Sequence, residues 1–197
     1  NHPPINYPQN FPDAWDSPLI VDTQTAPLAD ALSLTQSAAD TVLDSVVQQF
    51  SPQLSPSENQ KLQNLEIQVV DLKGDYLGRA LPGTIYIDVN AAGYGWFIDT
   101  TPGDYSEFVY SSQFTYIALP DSDAAGRVDL WSVILHEIGH ILGHDHADEG
   151  VMQETLAPGV RNLPSWEINI EFDNQSTPEE TDLFFFKVQD ETELTPF

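Results

Sequence analysis

The stretch HEIGHILGHDH, residues 136–146, holds four of the chain's five histidines and constrains the fold more than any other. The run RVDLWSVILHEIGHIL that contains its start has no proline, and no glycine until Gly139, which predicts a helix with Asp129 as N-cap and Gly143 as its stop. Helix positions four apart share a face. His136 and His140 therefore aim two imidazoles at one spot, with Glu137 beside the first. A third imidazole has to come from beyond the helix. Gly143, able to adopt positive φ, permits a sharp turn there, and His146 returns toward the same point. Neutral imidazole nitrogen binds zinc at about 2.0–2.1 Å, so three such rings predict a zinc site at His136, His140 and His146. Glu137 then stands close to the ion without binding it. It is placed to take a proton from a zinc-bound water, acidified toward a pKa of about 7, and to pass it to a leaving amine. The competing reading is a buried helix that merely contains two histidines. It leaves unexplained why they are buried beside a glutamate.

The rest of the chain has to fold around that helix. A length of 197 residues suits one domain, or one domain with an appendage. LSLTQSAADTVLDSVVQQF sets Leu34, Ala38, Val42, Val46 and Phe50 at helical spacing, which predicts a second helix over 35–50 with Thr35 as N-cap. SPQLSPSENQKL reads as a loop with one short helical turn. Residues 65–72, 83–89, 94–99 and 111–119 are strand patterns, rich in β-branched and aromatic residues, and TPGDYSEF reads as a loop. After Gly143 the chain reads as irregular until WEINIEF and DLFFFKV, two candidate strands near the C-terminus. The order of helix, strands, central helix and loops predicts an α+β fold rather than an alternating one. Residues 1–27, rich in proline, read as an N-terminal arm or linker. Residues 28–165 read as the catalytic domain, and residues 166–197 as an acidic C-terminal extension packed on the domain or linking it onward.

Charge and composition narrow the partners. With 31 acidic against 6 basic residues the net charge is −25, the wrong sign for binding a phosphate backbone, so nucleic acid is excluded as a partner. Anionic membranes would also repel such a surface, and no apolar run approaches the ~18 residues that span a bilayer, so no membrane insertion is expected. Solubility in salty or calcium-rich surroundings accounts for the acidity. The chain has no cysteine, so it has neither a disulfide framework nor a thiolate metal site. It opens on Asn1 and is expected to be a processed piece of something longer.

The extended motif His136-Glu137-x-x-His140-x-x-Gly143-x-x-His146 resembles that of the metzincin clan of zinc metalloproteases. DLKGDYLGRALPGTIYIDVNAAGYGWFID, GRVDLWSVILHEIGHILG and VMQETLAPGVR are similar to segments of metzincin-like domains in very large bacterial surface proteins. The resemblance covers residues 30 to 162. It implies a twisted mixed sheet, one backing helix, a central active-site helix, a zinc cleft and a methionine turn beneath the metal. The chain's single methionine, Met152, six residues past His146, would be that turn. Leu156, Ala157 and Pro158 would form the wall of the pocket for the residue after the scissile bond. TIYIDV or GWFIDT would be the edge strand along which a peptide substrate lies antiparallel. No tyrosine follows Tyr116, which favours a matrixin-like site of three histidines over one with an added tyrosine ligand.

The function expected from this resemblance is a secreted or cell-surface zinc endopeptidase acting on peptide or protein substrates, as a monomer or as part of a larger chain. The alternative is a non-catalytic or self-processing metal-binding module of a large bacterial surface protein. Calcium is a second candidate cofactor, at Asp121, Asp123 and Asp129, though clustered aspartates are expected in so acidic a chain without any ion. His144 is expected to point away from the metal, and Asp145 to be a solvated loop residue. Whether the arm or the tail occupies the cleft is left open. One form would be an arm aspartate, Asp13 or Asp16, capping the metal.

Overall fold

In a computed structural model the described residues are 18–22, 26–28 and 30–166. Their elements in chain order are β1 (Leu19–Val21), α1 (Gln36–Phe50), α2 (Pro56–Leu62), β2 (Glu66–Val70), β3 (Tyr76–Leu81), β4 (Thr84–Asp88), β5 (Trp96–Phe97), β6 (Phe108–Ser112), β7 (Thr115–Ala118), β8 (Val128–Asp129), α3 (Leu130–Leu142), β9 (Thr155–Leu156) and β10 (Val160–Asn162). The α+β class is as the order of elements predicts, and the main sheet is mixed, as the resemblance implies.

Both predicted helices form with their predicted caps. The Thr35 hydroxyl accepts the Ala38 amide at 3.2 Å, and α1 buries Ala39, Val42, Leu43, Val46 and Phe50 along one stripe. Asp129 accepts the Ser132 amide at 3.2 Å, and α3 ends where Gly143 turns left-handed at φ 107°. A side chain at that φ is crowded against its own carbonyl, so glycine fits where other residues would be strained. Ten successive residues of α3, Leu130 to Gly139, are buried. A helix covered all round is enclosed by other elements, here α1, β3, β4 and β10 among them.

A five-stranded sheet of order β2-β4-β3-β1-β9 lies against α3. β2 pairs with β4 in parallel, β3 with β4 antiparallel, β1 with β3 antiparallel and β1 with β9 in parallel. Separate small sheets join β10, β7 and β6, and β5 with β8. The main core runs between the sheet, α1 and α3, from Val42, Val46 and Phe50 through Ile85 and Ile87 to Val133, Ile134 and Ile138.

Five expectations need correction. TIYIDV is not a sheet edge, because β4 has a partner on each side, and GWFIDT pairs only with β8 outside the five-stranded sheet. The sheet strand packed most closely on α3 is β3, a segment the sequence reading left without a strand. β6 begins at Phe108, inside the stretch read as a loop, and SENQKL forms the helix α2 rather than a single turn. Leu19–Val21, inside the stretch read as an arm, is a strand of the sheet. The candidate strands WEINIEF, apart from Trp166, and DLFFFKV lie outside the described residues, as do His2, Asp13 and Asp16.

Candidate metal centre

The three predicted ligands converge. His140 Nε2 stands 3.0 Å from His136 Nε2 and 3.2 Å from His146 Nε2. Among the described residues this is the one group of three or more His, Cys, Asp or Glu side chains whose donor atoms all lie within 4.8 Å of one another. The opposite ring nitrogens fix which tautomer is present. His136 Nδ1 faces the Val151 carbonyl at 2.7 Å and His140 Nδ1 faces the His144 carbonyl at 3.0 Å. A carbonyl only accepts, so each Nδ1 carries the proton and donates it, which leaves Nε2 as a bare lone pair. His146 Nδ1 lies 3.5 Å from Glu154.

Lone pairs held at about 3 Å from one another repel unless a cation sits between them. Two imidazole nitrogens bound tetrahedrally at the usual zinc distance stand about 3.3 Å apart, close to what the rings show. The residues therefore fit a metal ion. Zinc is compatible, and the three rings alone do not identify it. Burial, reinforced by neighbouring His140, pushes the His136 pKa down to about 3, and burial also lowers that of His140. Both rings are neutral at physiological pH, the form that ligates.

Local structure explains the convergence. Gly143 donates to the Gly139 and His140 carbonyls, and the His144 amide also reaches Gly139, closing the turn that reverses the chain toward His146. Lys61 Nζ, from α2, caps the Leu142 carbonyl at 2.8 Å and braces that end of α3. A 3-10 turn at Gly150–Met152 presents the Val151 carbonyl to His136. Met152 is buried beneath Gly139, whose missing side chain makes the room: a Cβ there would collide with Met152 Sδ. His144 does not join the triad, and its ring stacks on Trp166 at 4.4 Å.

Glu137 is fully buried, and no well-aligned hydrogen bond reaches either carboxylate oxygen. Burial raises its pKa to about 8, although the Ala80 amide, Arg79 and the Leu19 amide partly offset this. Its neighbour across the packing is Gly78 of β3, where a Cβ would come within 2.8 Å of Glu137 Oε1 and 2.9 Å of Val133 Cγ1. Sequence reasoning missed Gly78, although a glycine inside a strand is a known mark of close approach. Gly78→Ala is expected to overpack this contact and lower stability by about 1–3 kcal/mol in denaturant titration. A variant as stable as the native chain would show that Glu137 is free to move aside.

A second charged cluster sits at the other end of α3. Arg161 of β10 is buried and pairs with Asp129 through Nε at 2.9 Å and Nη2 at 2.8 Å, and with Asp99 through Nη1 at 2.7 Å. Its guanidinium lies 4.5 Å above the Phe108 ring and 5.4 Å from that of Trp131. Burial works to lower its pKa, but Asp129 and Asp99 prevail and hold it well above the ordinary value. Asp129, one of the three aspartates expected for calcium, has its carboxylate engaged by Arg161 and in capping α3. Asp121 and Asp123, both exposed, join no metal-binding group among the described residues. In a chain with 6 basic residues, the arginine shortly after LAPG was the available sign of a buried ion pair.

Of the expected pocket wall, Leu156 is buried in β9 and lines a small pocket with Leu19, Ser132, Val151, Thr155 and Asn162. Ala157 and Pro158 are half-buried and lie outside that lining. No helix among the described residues is long and apolar enough to cross a membrane. Compared with known proteins, the chain matches no family, no curated protein and no solved structure.

Proposed function

We propose that the chain is a zinc endopeptidase of metzincin type, acting outside the cell or at its surface on extended peptide segments. The observation that carries this reading is the pairing of three convergent imidazoles with a buried, hydrogen-bond-poor carboxylate one residue from the first of them. A purely structural zinc site is usually closed by a fourth protein ligand, and here the described residues bring three. His136, His140 and His146 would hold the ion, and Met152 with the 150–152 turn would support them from below. When bound, zinc supplies Lewis acidity, polarising the scissile carbonyl and making a water nucleophilic near neutral pH.

The chain's own residues do the rest. Glu137 accepts the proton that the water loses and delivers it to the nitrogen of the departing amine. A carboxylate whose pKa burial has moved toward neutrality exchanges protons in both directions at working pH. The closed packing of Gly78 and Val133 against it fixes its position and excludes bulk water. The net charge of −25 and the absence of cysteine fit a protein that stays soluble in salty surroundings without disulfides.

The test is digestion of casein by the purified full chain. Activity should vanish with a chelator and return on adding zinc. Hydrolysis indifferent to chelation, or none at any zinc level from a zinc-loaded chain, overturns the reading.

A further inference from the structure

β1 joins two parts of the fold that otherwise do not meet. β2, β3 and β4 lie close in sequence, whereas β9 follows α3, and β9 is attached to that sheet only through β1. Leu19–Val21 runs antiparallel to β3, with Leu19 opposite Gly78 and Ile20 opposite Tyr76. It runs parallel to β9, with Ile20 opposite Thr155 and Val21 opposite Leu156. Its amides donate to both walls: Ile20 to the Glu154 carbonyl at 3.1 Å, Val21 to Asp75 at 2.9 Å and Asp22 to Leu156 at 3.0 Å. Without it, two strand edges would face each other across a slot one strand wide, an arrangement that captures extended chain.

The slot runs past the metal centre. Leu19 is opposite Gly78, the residue in contact with Glu137, and Leu19's own amide is near enough to act on that carboxylate. The side chains alternate as a bound strand requires. Leu19 and Val21 are 2% exposed and belong to the main apolar core, while Ile20 is half-buried, and Leu19 lines a small pocket together with Ser132, Val151, Thr155, Leu156 and Asn162. A side chain at the Leu19 position therefore lies among core residues such as Val151 and Leu156, a setting that suits an aliphatic group and penalises a charged one.

We propose that the β3–β9 slot is the peptide-binding site, that Leu19–Val21 occupies it in cis, and that it selects extended peptides offering a leucine-sized aliphatic side chain at the Leu19 position. This rests on the endopeptidase reading for its meaning but not for its test. The occupant must leave before another peptide enters, so the free chain is held in check by its own segment.

The slot can be locked. Ile20 and Tyr76 are antiparallel partners, and the chain has no cysteine of its own, so Ile20→Cys with Tyr76→Cys in the full chain introduces a single disulfide that pins β1 in place. The probe is a fluorescein-labelled peptide Ser-Pro-Leu-Ile-Val-Asp, copied from residues 17–22, with binding read by anisotropy in a Glu137→Gln background so that it survives. The reduced protein should bind it at least tenfold more tightly than the oxidised one, and a probe with aspartate in place of its leucine should not bind. A Leu19→Asp chain, whose own segment no longer fits, should bind the original probe more tightly than the native chain does. Equal binding by oxidised and reduced forms, or no binding by any form including Leu19→Asp, overturns the proposal. Casein digestion with Glu137 restored separates the two ideas. Redox-dependent binding without hydrolysis upholds the slot and rejects the endopeptidase, and hydrolysis equal in both redox forms upholds the endopeptidase and rejects the slot.

Discussion

A Glu137→Gln variant should retain its metal and lose peptide hydrolysis by a factor of about 10²–10⁴, the usual contribution of a positioned general base. Glutamine keeps the shape and volume of the buried side chain but cannot exchange the proton, so the loss should fall on turnover while zinc content stays at the native level. Steady-state kinetics alongside metal analysis decides this. Native turnover in the variant would remove Glu137 from the mechanism. The same substitution has a signature in stability. In the metal-free chain the folded pKa of Glu137 is raised from 4.5 to about 8 by burial. A raised folded pKa means that the folded state holds a proton which the unfolded state releases. Its stabilising contribution is full below about pH 4.5 and declines until the pH has passed about 8. Metal-free native protein should therefore lose stability across that window, by up to a few kcal/mol, on the order expected for a shift of this size. Glu137→Gln should lack that loss. Denaturant midpoints measured at several pH values would expose the difference, and parallel curves for the two proteins would refute the buried-acid description.

Arg161→Ala should be the most damaging substitution for the fold, costing about 3–5 kcal/mol because it strands buried carboxylates without their cation. Asp99 and Asp129 have side chains 2% exposed, and Asp129 also caps the helix that carries His136, Glu137 and His140. Losing the arginine would thus reach the metal centre through the start of α3 as well as through the aromatic side chains packed around the guanidinium. Arg161→Lys keeps the charge but gives up the two-pronged contact with Asp129, so it should recover part of the loss and no more. A denaturant midpoint within about 0.5 kcal/mol of the native value for Arg161→Ala, the range of ordinary surface changes, would mean that the cluster does not hold the fold together.

The histidine triad was legible in the sequence because its geometry is nearly all local. Helical periodicity places His136 and His140 on one face, a cap at each end of α3 fixes where that face begins and stops, and the turn at Gly143 needs only a residue able to take positive φ. α1 was legible for the same reason, from Thr35 and the spacing of Val42, Val46 and Phe50. α2 was legible in principle. Ser55 and Glu58 form a reciprocal capping box with Pro56 in the first turn, a signal that the surrounding prolines and polar residues obscure.

The sheet was less accessible. Strand order depends on which edges meet, and period-two alternation carries no information about neighbours. TIYIDV has the pattern of a good strand whether it lies at an edge or in the middle, and only the pairing of β2 with β4 decides it. β3 escaped because Gly78 and Arg79 interrupt its apolar pattern, yet both are buried, one to admit Glu137 and one in its vicinity. β1, β9 and β10 have two or three residues each, too short for any periodicity. The placement of β1 between β3 and β9, beside Glu137, therefore could not be read from the chain.

X-ray absorption at the zinc edge, on the full chain loaded with one equivalent of zinc, tests the account most directly. Three imidazole nitrogens at about 2.0–2.1 Å with one further light atom from solvent is the expected shell, reduced to two imidazoles in His146→Ala. A shell with fewer than three imidazoles in the native chain, or one unchanged by removing His146, would contradict it.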